Sequence, residues 1–381
     1  MDKVKVLLVA VGGYGGGYLR LLTSKDYGAE VVGVVDVMPN ILEKCPEIQA
    51  NNIPLYRTIA DFYKEHTADL AFISSPIHLH VPMSLECMRN GSHVLCEKPL
   101  CLTLEEIEAL DKCSAETGKF LAVGYQRNYR RDVLKLKEDI LSGKFGAPIR
   151  LRAVQAFRRG SKYYARNNWA GRISVNGHEV FDSPFTNASA HNFQMLTFLL
   201  GKDMSAACDI TGVEAELYRG NPNVENYDIA CMRFSTDCGA EIYYYTAHPH
   251  ATDSLGPFGR MEFEKGVITY GEDERLYAVM NDGETFDYGP CDNSGYEQKI
   301  IDAIDCVRNG TSPVCNTTSE IGHVRAVRMV QALPIKDIDP GHVDVVEDEV
   351  TGKFWHVKNL EKAMLESAEN WKLPGEMGIT L

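Results

Sequence analysis

Val4 to Val9 is an unbroken apolar run, as a parallel strand covered on both faces requires. The glycine-rich turn Ala10-Val11-Gly12-Gly13-Tyr14-Gly15 follows, and Tyr18, Leu19 and Leu22 then fall at helical spacing. Val31 to Val35 predicts a second strand ending at Asp36, and Leu70 to Ile73 a third ending at Ser74-Ser75-Pro76. A helix over His80 to Arg89 stops at Asn90-Gly91, a common terminator. Gly91 to Cys96 predicts another strand, leading into Glu97-Lys98-Pro99. Thr103-Leu104-Glu105-Glu106 forms a capping box for a helix that Gly118 closes, and Phe120 to Val123 is strand-like. Strands alternating with helices in this way predict a doubly wound parallel α/β sheet over 1–123.

The pattern then changes. Ile149 to Val154 alternates apolar and polar positions, as a half-exposed strand does. Ile229 to Phe234 and Ala240 to Thr246 flank Thr236-Asp237-Cys238-Gly239, predicting a hairpin. Met261 to Phe263 and Val267 to Thr269 flank Lys265-Gly266, predicting another. Helical patterns return at Tyr296 to Val307, Ser319 to Val330 and near Leu360. We therefore expect an α+β domain with a large antiparallel sheet over 124–340, and a segment 341–381 packing on the rest.

With 381 residues, two cores are the prior. Lysine plus arginine number 39 against 53 acids, a net charge of −14 that repels phosphate backbones and argues against nucleic acid and anionic membranes. No long uncharged apolar run predicts a membrane span. Eleven cysteines lie scattered, without Cys-x-x-Cys spacing, and the N-terminus lacks the layout of a secretory signal. Reduced, buried thiols and a cytoplasmic location are expected.

A glycine turn between a first strand and a helix lets a pyrophosphate approach backbone amides. Gly12 permits close approach, Gly15 permits helix packing, and Gly13 and Tyr14 complete the turn; alanine in the first place is tolerable with a negative φ. Asp36, at a strand end about twenty residues on, is placed to accept from ribose hydroxyls. Val37 and Met38 follow without an arginine for a 2′-phosphate, so NAD is the expected cofactor. Lys98, at the carboxyl edge of the sheet and restricted by Pro99, is a cation aimed at the ligand crevice.

At this point the chain resembles the Gfo/Idh/MocA oxidoreductases. The resemblance rests on the glycine turn, Asp36, Ser75-Pro76 with His80, and Gly91 through Glu97-Lys98-Pro99. Gly124-Tyr125-Gln126-Arg127 and Gly143-Lys144-Phe145-Gly146 also match. It implies an NAD(P)-binding domain followed by an open-faced antiparallel sheet, often used for homo-oligomers (dimers or tetramers). It also implies a small carbohydrate substrate: a sugar, glycoside or cyclitol. Ser74, Ser75, Pro76, His80, Glu97, Lys98 and Gln126 are expected to join the turn and Asp36 in holding the cofactor. Family members carry Asp-x-x-x-His on a helix of the second domain. Here His191 matches, but Asn187 stands where the acid would be; it hydrogen-bonds without carrying a proton.

Oxidising a secondary alcohol needs a base, and His191 has suitable chemistry. Lys98 would steady the developing alkoxide. Tyr125, Arg127, Arg158, Trp169, Asn187 and His248 complete the expected substrate contacts. No third ligand accompanies His248-Pro249-His250 or His78-Leu79-His80, so no metal is expected. Arg158, Arg159, Lys162, Arg166 and Arg172 form a basic cluster, either a solvated loop or a clamp for an anionic group. The leading expectation is oxidation of a ring hydroxyl, C3-type, to a ketone. A redox-neutral NAD-dependent glycosidase that oxidises C3 transiently is the alternative, with Tyr125, Tyr163 or Tyr164 as the extra acid or base. A non-catalytic NAD- and sugar-binding regulator is the third.

Overall fold

A computed structural model describes residues 2–290 and 295–381. The chain divides into two compact units: Met1–Tyr129 with Gly295–Glu320, and Arg130–Ser294 with Ile321–Leu381. The division falls six residues beyond the expected boundary at 123, and a later segment returns to the first unit.

In the first unit, β1 (Val4–Val9), β2 (Ala29–Val35), β3 (Leu55–Tyr56), β4 (Leu70–Ile73), β5 (His93–Cys96) and β6 (Leu121–Val123) form one sheet in the order β3-β2-β1-β4-β5-β6. Every pairing is parallel, as the apolar runs predicted. The two-residue β3 and the helix Ile59–Glu65 after it carry too little periodic signal to be seen in advance. The capping box at Thr103 is present, and Gly118 closes that helix at φ +67°. Helix Gly295–Asn309 adds Ile300, Ala303 and Ile304 to the core around Val6, Leu8, Tyr18 and Phe72.

The second unit contains β7 (Pro148–Phe157), a short hairpin of β8 (Ser174–Val175) and β9 (His178–Glu179), β10 (Ile210–Arg219), β11 (Ile229–Thr236) and β12 (Glu241–Ala247). It continues with β13 (Ser254–Phe263), β14 (Gly266–Tyr270), β15 (Tyr277–Met280), β16 (Thr285–Asp287) and β17 (Ile335–Asp337). Nine of these strands make a sheet in the order β16-β15-β14-β13-β7-β12-β11-β10-β17. Both predicted hairpins are there. The sheet is mixed rather than purely antiparallel, because β12 pairs with β7, and β10 with β17, in parallel.

Alternation along β12 sends Tyr244 and Thr246 to one face, where they meet Ser189 at the start of helix Ala190–Leu199. Tyr243, Tyr245 and Ala247 point to the other face, which is not open over its central strands. The hairpin of β18 (Val343–Asp348) and β19 (Gly352–Val357), with helix Leu360–Asn370, shares a core with them through Val357, Leu360, Met364 and Ala368. Tyr245 donates to the Lys372 carbonyl at 2.8 Å, and Arg152 pairs with Glu369. Exposed apolar side chains on the outer strands include Tyr277 and Val279.

Candidate functional site

In the glycine turn, Ala10 takes φ +65°, not the negative value expected. The left-handed conformation costs an L-residue about 1–2 kcal/mol. Tight reversal imposes it: the Ala10 amide donates to the Val35 carbonyl at 2.8 Å, and a Cβ on Gly15 would lie 2.4 Å from the Ala10 oxygen. Gly15 must therefore stay glycine, as predicted. Nothing lies within 4 Å of the Cβ position of Gly13, so that backbone is open to a ligand. The helix Gly15–Ser24 begins here with no acid in its first turn.

Asp36 accepts from the Gly12 amide at 2.9 Å and the Met38 amide at 2.8 Å, which fixes its carboxylate beside the turn. One expectation fails: an arginine is close. Arg57, arriving after β3, donates to the Asp36 and Met38 carbonyls at 2.9 and 3.1 Å. Sequence adjacency alone could not reveal it. Ser74 Oγ and Ser75 Oγ, at the end of β4, are buried without hydrogen-bond partners. Orphaned hydroxyls, an open glycine turn and a fixed carboxylate together suit a bound dinucleotide.

Two expected cofactor contacts turn out to be internal. His80 is buried, with its ring nitrogens 2.8 Å from the Pro99 and Ser75 carbonyls, so it braces those two loops rather than facing a ligand. Burial holds its pKa down, against the pull of the two carbonyls. Glu97 is buried too, because Lys299 reaches it at 2.6 Å and the Tyr18 hydroxyl also donates to it.

Lys299 was missed by the sequence reading. Its ammonium is fully buried and lies 5.0, 5.1 and 4.9 Å from the ring centroids of Tyr14, Tyr18 and Tyr296. It also donates to the Tyr14 hydroxyl at 3.2 Å, and Tyr14 in turn donates to Gln126 Oε1 at 3.3 Å. This chain links the glycine turn to the Glu97-Lys98-Pro99 segment. A Cβ on Gly124 would lie 2.8 Å from the Glu97 carboxylate, so glycine there leaves room for the pair. Burial lowers the Lys299 pKa while Glu97 opposes the shift. The available signal was a lysine on the apolar face that Tyr296, Ile300 and Ala303 define. Lys98 is half-buried, and its amide lies 3.3 Å from its neighbour's carboxylate.

Tyr125 and Arg127, expected to touch substrate, are buried, Tyr125 completely. Burial raises the Tyr125 phenol well above its ordinary range. It is a core residue.

In the second unit, Asn187 precedes the helix that carries His191, so the two do not share a helical face as expected. Asn187 instead donates to Asp182 Oδ1 at 2.8 Å and to the Tyr163 hydroxyl at 3.3 Å. Asp182 is buried and also accepts from the Gly171 amide at 2.7 Å. The carboxylate missing at 187 is thus supplied five residues earlier, bonded to the asparagine that stands in its place. Arg166 donates to the Tyr163 hydroxyl at 2.9 Å and lies over the rings of Tyr163 and Trp169. Trp169 is half-buried. The Tyr164 hydroxyl is 2.8 Å from His248 Nδ1.

His248 is buried, and burial, reinforced by Arg159, His250 and Arg166, keeps its pKa well below normal. Arg158, expected to touch substrate, pairs with Asp253 at 2.6 Å and Asp348 at 3.5 Å. Among the described residues, no group of three His, Cys, Asp or Glu is placed to hold a metal, and no helix is long and apolar enough to cross a membrane. Ten cysteines are free thiols, and Cys238 is exposed rather than buried; Cys291 lies outside the described residues.

Residues 4–125 match the family model "Oxidoreductase family, NAD-binding Rossmann fold". Residues 4–125 thus form an NAD-binding domain of the Gfo/Idh/MocA oxidoreductase type, and the cofactor that domain takes is NAD.

An inositol 2-dehydrogenase of Rubrobacter xylanophilus is 30% identical over 152 residues, 40% of this chain and 43% of that protein. The match thus spans under half the length of that relative. The inositol 2-dehydrogenase of Mycolicibacterium gilvum is 23% identical over 366 residues, covering 92% of this chain and 96% of its own. In fold, the chain is similar to the WlbA dehydrogenase of Bordetella pertussis, solved in complex with NADH and UDP-GlcNAcA. The TM-score is 0.71 at 20% identity, over 86% of this chain and 95% of that one.

Proposed function

We propose that this protein is an NAD-dependent dehydrogenase that oxidises a ring hydroxyl of a sugar, glycoside or cyclitol to a ketone, with C3 as the position. The observation that carries the reading is the first unit's turn: an open glycine backbone, a fixed Asp36 and two orphaned serine hydroxyls, with Glu97-Lys98-Pro99 tied to it through Lys299. The inositol 2-dehydrogenases named above support a cyclitol within that range of substrates.

When bound, NAD supplies the acceptor for the hydride. Ser74, Ser75, Asp36 and the amides from Gly12 to Gly15 would hold it. His191 has the role of base for the hydroxyl proton, and Lys98 that of a donor favouring the alkoxide as it forms. Asn187, oriented by Asp182, positions the sugar. Lys98→Met is expected to lower NADH formation by about 10²–10³-fold, the usual loss for one such donor, while NAD binding by fluorescence titration persists. Full turnover in that variant would refute the assignment.

One observation favours a second reading, the redox-neutral glycosidase. The Tyr163 hydroxyl accepts from both Arg166 and Asn187, leaving its own proton to give. Burial, with Asp182 adding to it, pushes its pKa up to about 12, so it is a neutral acid. Aglycone release without net NADH would select this reading; NADH accumulation selects the dehydrogenase.

A further inference from the structure

The basic cluster at 158–172 separates into cations that are used and cations that are not. Arg158 is taken by Asp253 and Asp348, and Lys162 donates to the Glu349 carbonyl. Arg159 and Arg166 meet no carboxylate within ion-pair distance among the described residues. Their guanidinium carbons lie 4.8 and 3.7 Å from the same ring centroid, that of Tyr163. Arg159 is half-buried, its Nη1 makes a 3.4 Å bond to the Arg158 carbonyl, and its Nε, like that of Arg158, is buried without a partner.

Ring contact alone does not satisfy such a group. Cation–π attraction is worth about 0.5–2 kcal/mol, and of the five N–H donors of each guanidinium Arg166 gives one to the Tyr163 hydroxyl and Arg159 one to the Arg158 carbonyl.

The nearby acids do not fill the gap. Asp182 is bonded to the Gly171 amide and Asn187. Asp228 accepts from the Gly220 and Asn221 amides at 2.7 and 2.8 Å, and burial pushes its pKa up to about 7. A further donor belongs to the cluster. His248, 2% exposed, stacks edge-on to Tyr163 with centroids 5.5 Å apart, and its Nε2 has no partner. In the tautomer whose Nδ1 accepts from Tyr164, the neutral ring carries its proton on Nε2 and can donate it. The cluster thus holds two guanidinium groups with no carboxylate paired to either among the described residues, in a chain whose overall charge is −14.

We propose that Arg159 and Arg166, with His248 Nε2, form an oxyanion site, so that the substrate carries a carboxylate or a phosphate in addition to the hydroxyl that is oxidised. This rests on the carbohydrate-dehydrogenase reading above and narrows its substrate class. Guanidinium binds both oxyanions with paired, charge-assisted hydrogen bonds.

The test uses the whole chain with NAD and three matched ligands: a methyl hexoside, the corresponding hexuronide and the corresponding 6-phosphate. Binding is measured by calorimetry and hydride transfer by NADH absorbance. One anionic ligand is expected to bind about 10–100-fold more tightly than the neutral one, from charged hydrogen bonds of about 1.5–3 kcal/mol. Whichever anion prevails identifies the oxyanion. Arg159→Gln and Arg166→Gln should each erode that preference about tenfold, and the exposed Arg166 position keeps the test usable if Arg159→Gln folds poorly. Arg158→Gln should leave the preference intact.

Equal binding of neutral and anionic ligands, binding of neither anion, or a preference that survives Arg166→Gln overturns the proposal. Tight anion binding without hydride transfer would instead uphold the oxyanion site and count against the dehydrogenase reading. Turnover without anion preference would do the reverse.

Discussion

Lys299 in the first unit and Arg159 in the second are cations set against tyrosine rings, and they differ in what completes them. Lys299 is enclosed by Tyr14, Tyr18 and Tyr296 and closes on Glu97 at 2.6 Å. Arg159 lies against Phe157 and Tyr163 with no carboxylate within ion-pair distance among the described residues. A buried charge that has its counter-charge inside the protein is a structural pair, whereas a half-buried guanidinium without a paired carboxylate is free to take an anionic ligand. The contrast separates what positions Lys98 from what selects the substrate.

The largest expected effect comes from breaking the completed pair. Lys299→Met leaves the Glu97 carboxylate buried without its cation, which typically destabilises a protein by about 3–5 kcal/mol. Denaturant melts should show that loss, and the double variant Glu97→Gln/Lys299→Met should recover most of it, since neither charge then remains. A single variant as stable as the parent would mean that solvent, not Lys299, balances Glu97.

A third buried group sharpens the comparison from the acidic side. Glu320 is fully buried and, among the described residues, meets no cation, and burial pushes its pKa from 4.5 up to about 8, with the Leu100 amide pulling the other way. Having no cation like Lys299, it stays protonated near neutral pH. An acid whose folded-state pKa is raised stabilises the fold fully below its unfolded value, and that stabilisation is lost as pH rises towards the folded value. Between pH 4.5 and about 8 the parent should therefore lose about 1.4 kcal/mol per pH unit relative to Glu320→Gln. Parallel stability profiles for the two proteins would show that Glu320 is already ionised.

How far these features were legible in the sequence follows from their range along the chain. The first sheet could be read almost strand by strand, because buried parallel strands are continuous apolar runs and glycine turns and caps mark their ends. Asp36 and Lys98 could be picked out because each follows directly on a strand. Arg57 beside Asp36, and Lys299 against Glu97 across 202 positions, could not, since folding alone brings them together. The cover over β7 and β12 was hidden for a different reason. The exposed faces of β18 carry Val345 and Val346, so its alternation gives no clean inside and outside. Asn187 misled because four-residue spacing from His191 implies a shared face only within a helix, and the helix starts at Ala190.

The smallest expected effect tests the comparison within the basic cluster itself. Arg158 stands next to Arg159 in the chain, yet its guanidinium pairs with Asp253 and Asp348 and covers Phe354 at 4.8 Å. The Asp253 side chain is largely in solvent, so that pair is screened and contributes about 0–1 kcal/mol. Arg158→Gln should accordingly cost less than about 1 kcal/mol in urea melts at low salt, and the difference from the parent should shrink as salt is added. Selectivity between anionic and neutral ligands should not move. If Arg158→Gln weakened anion binding as much as Arg166→Gln does, having a carboxylate partner would no longer distinguish a structural arginine from one that awaits a ligand.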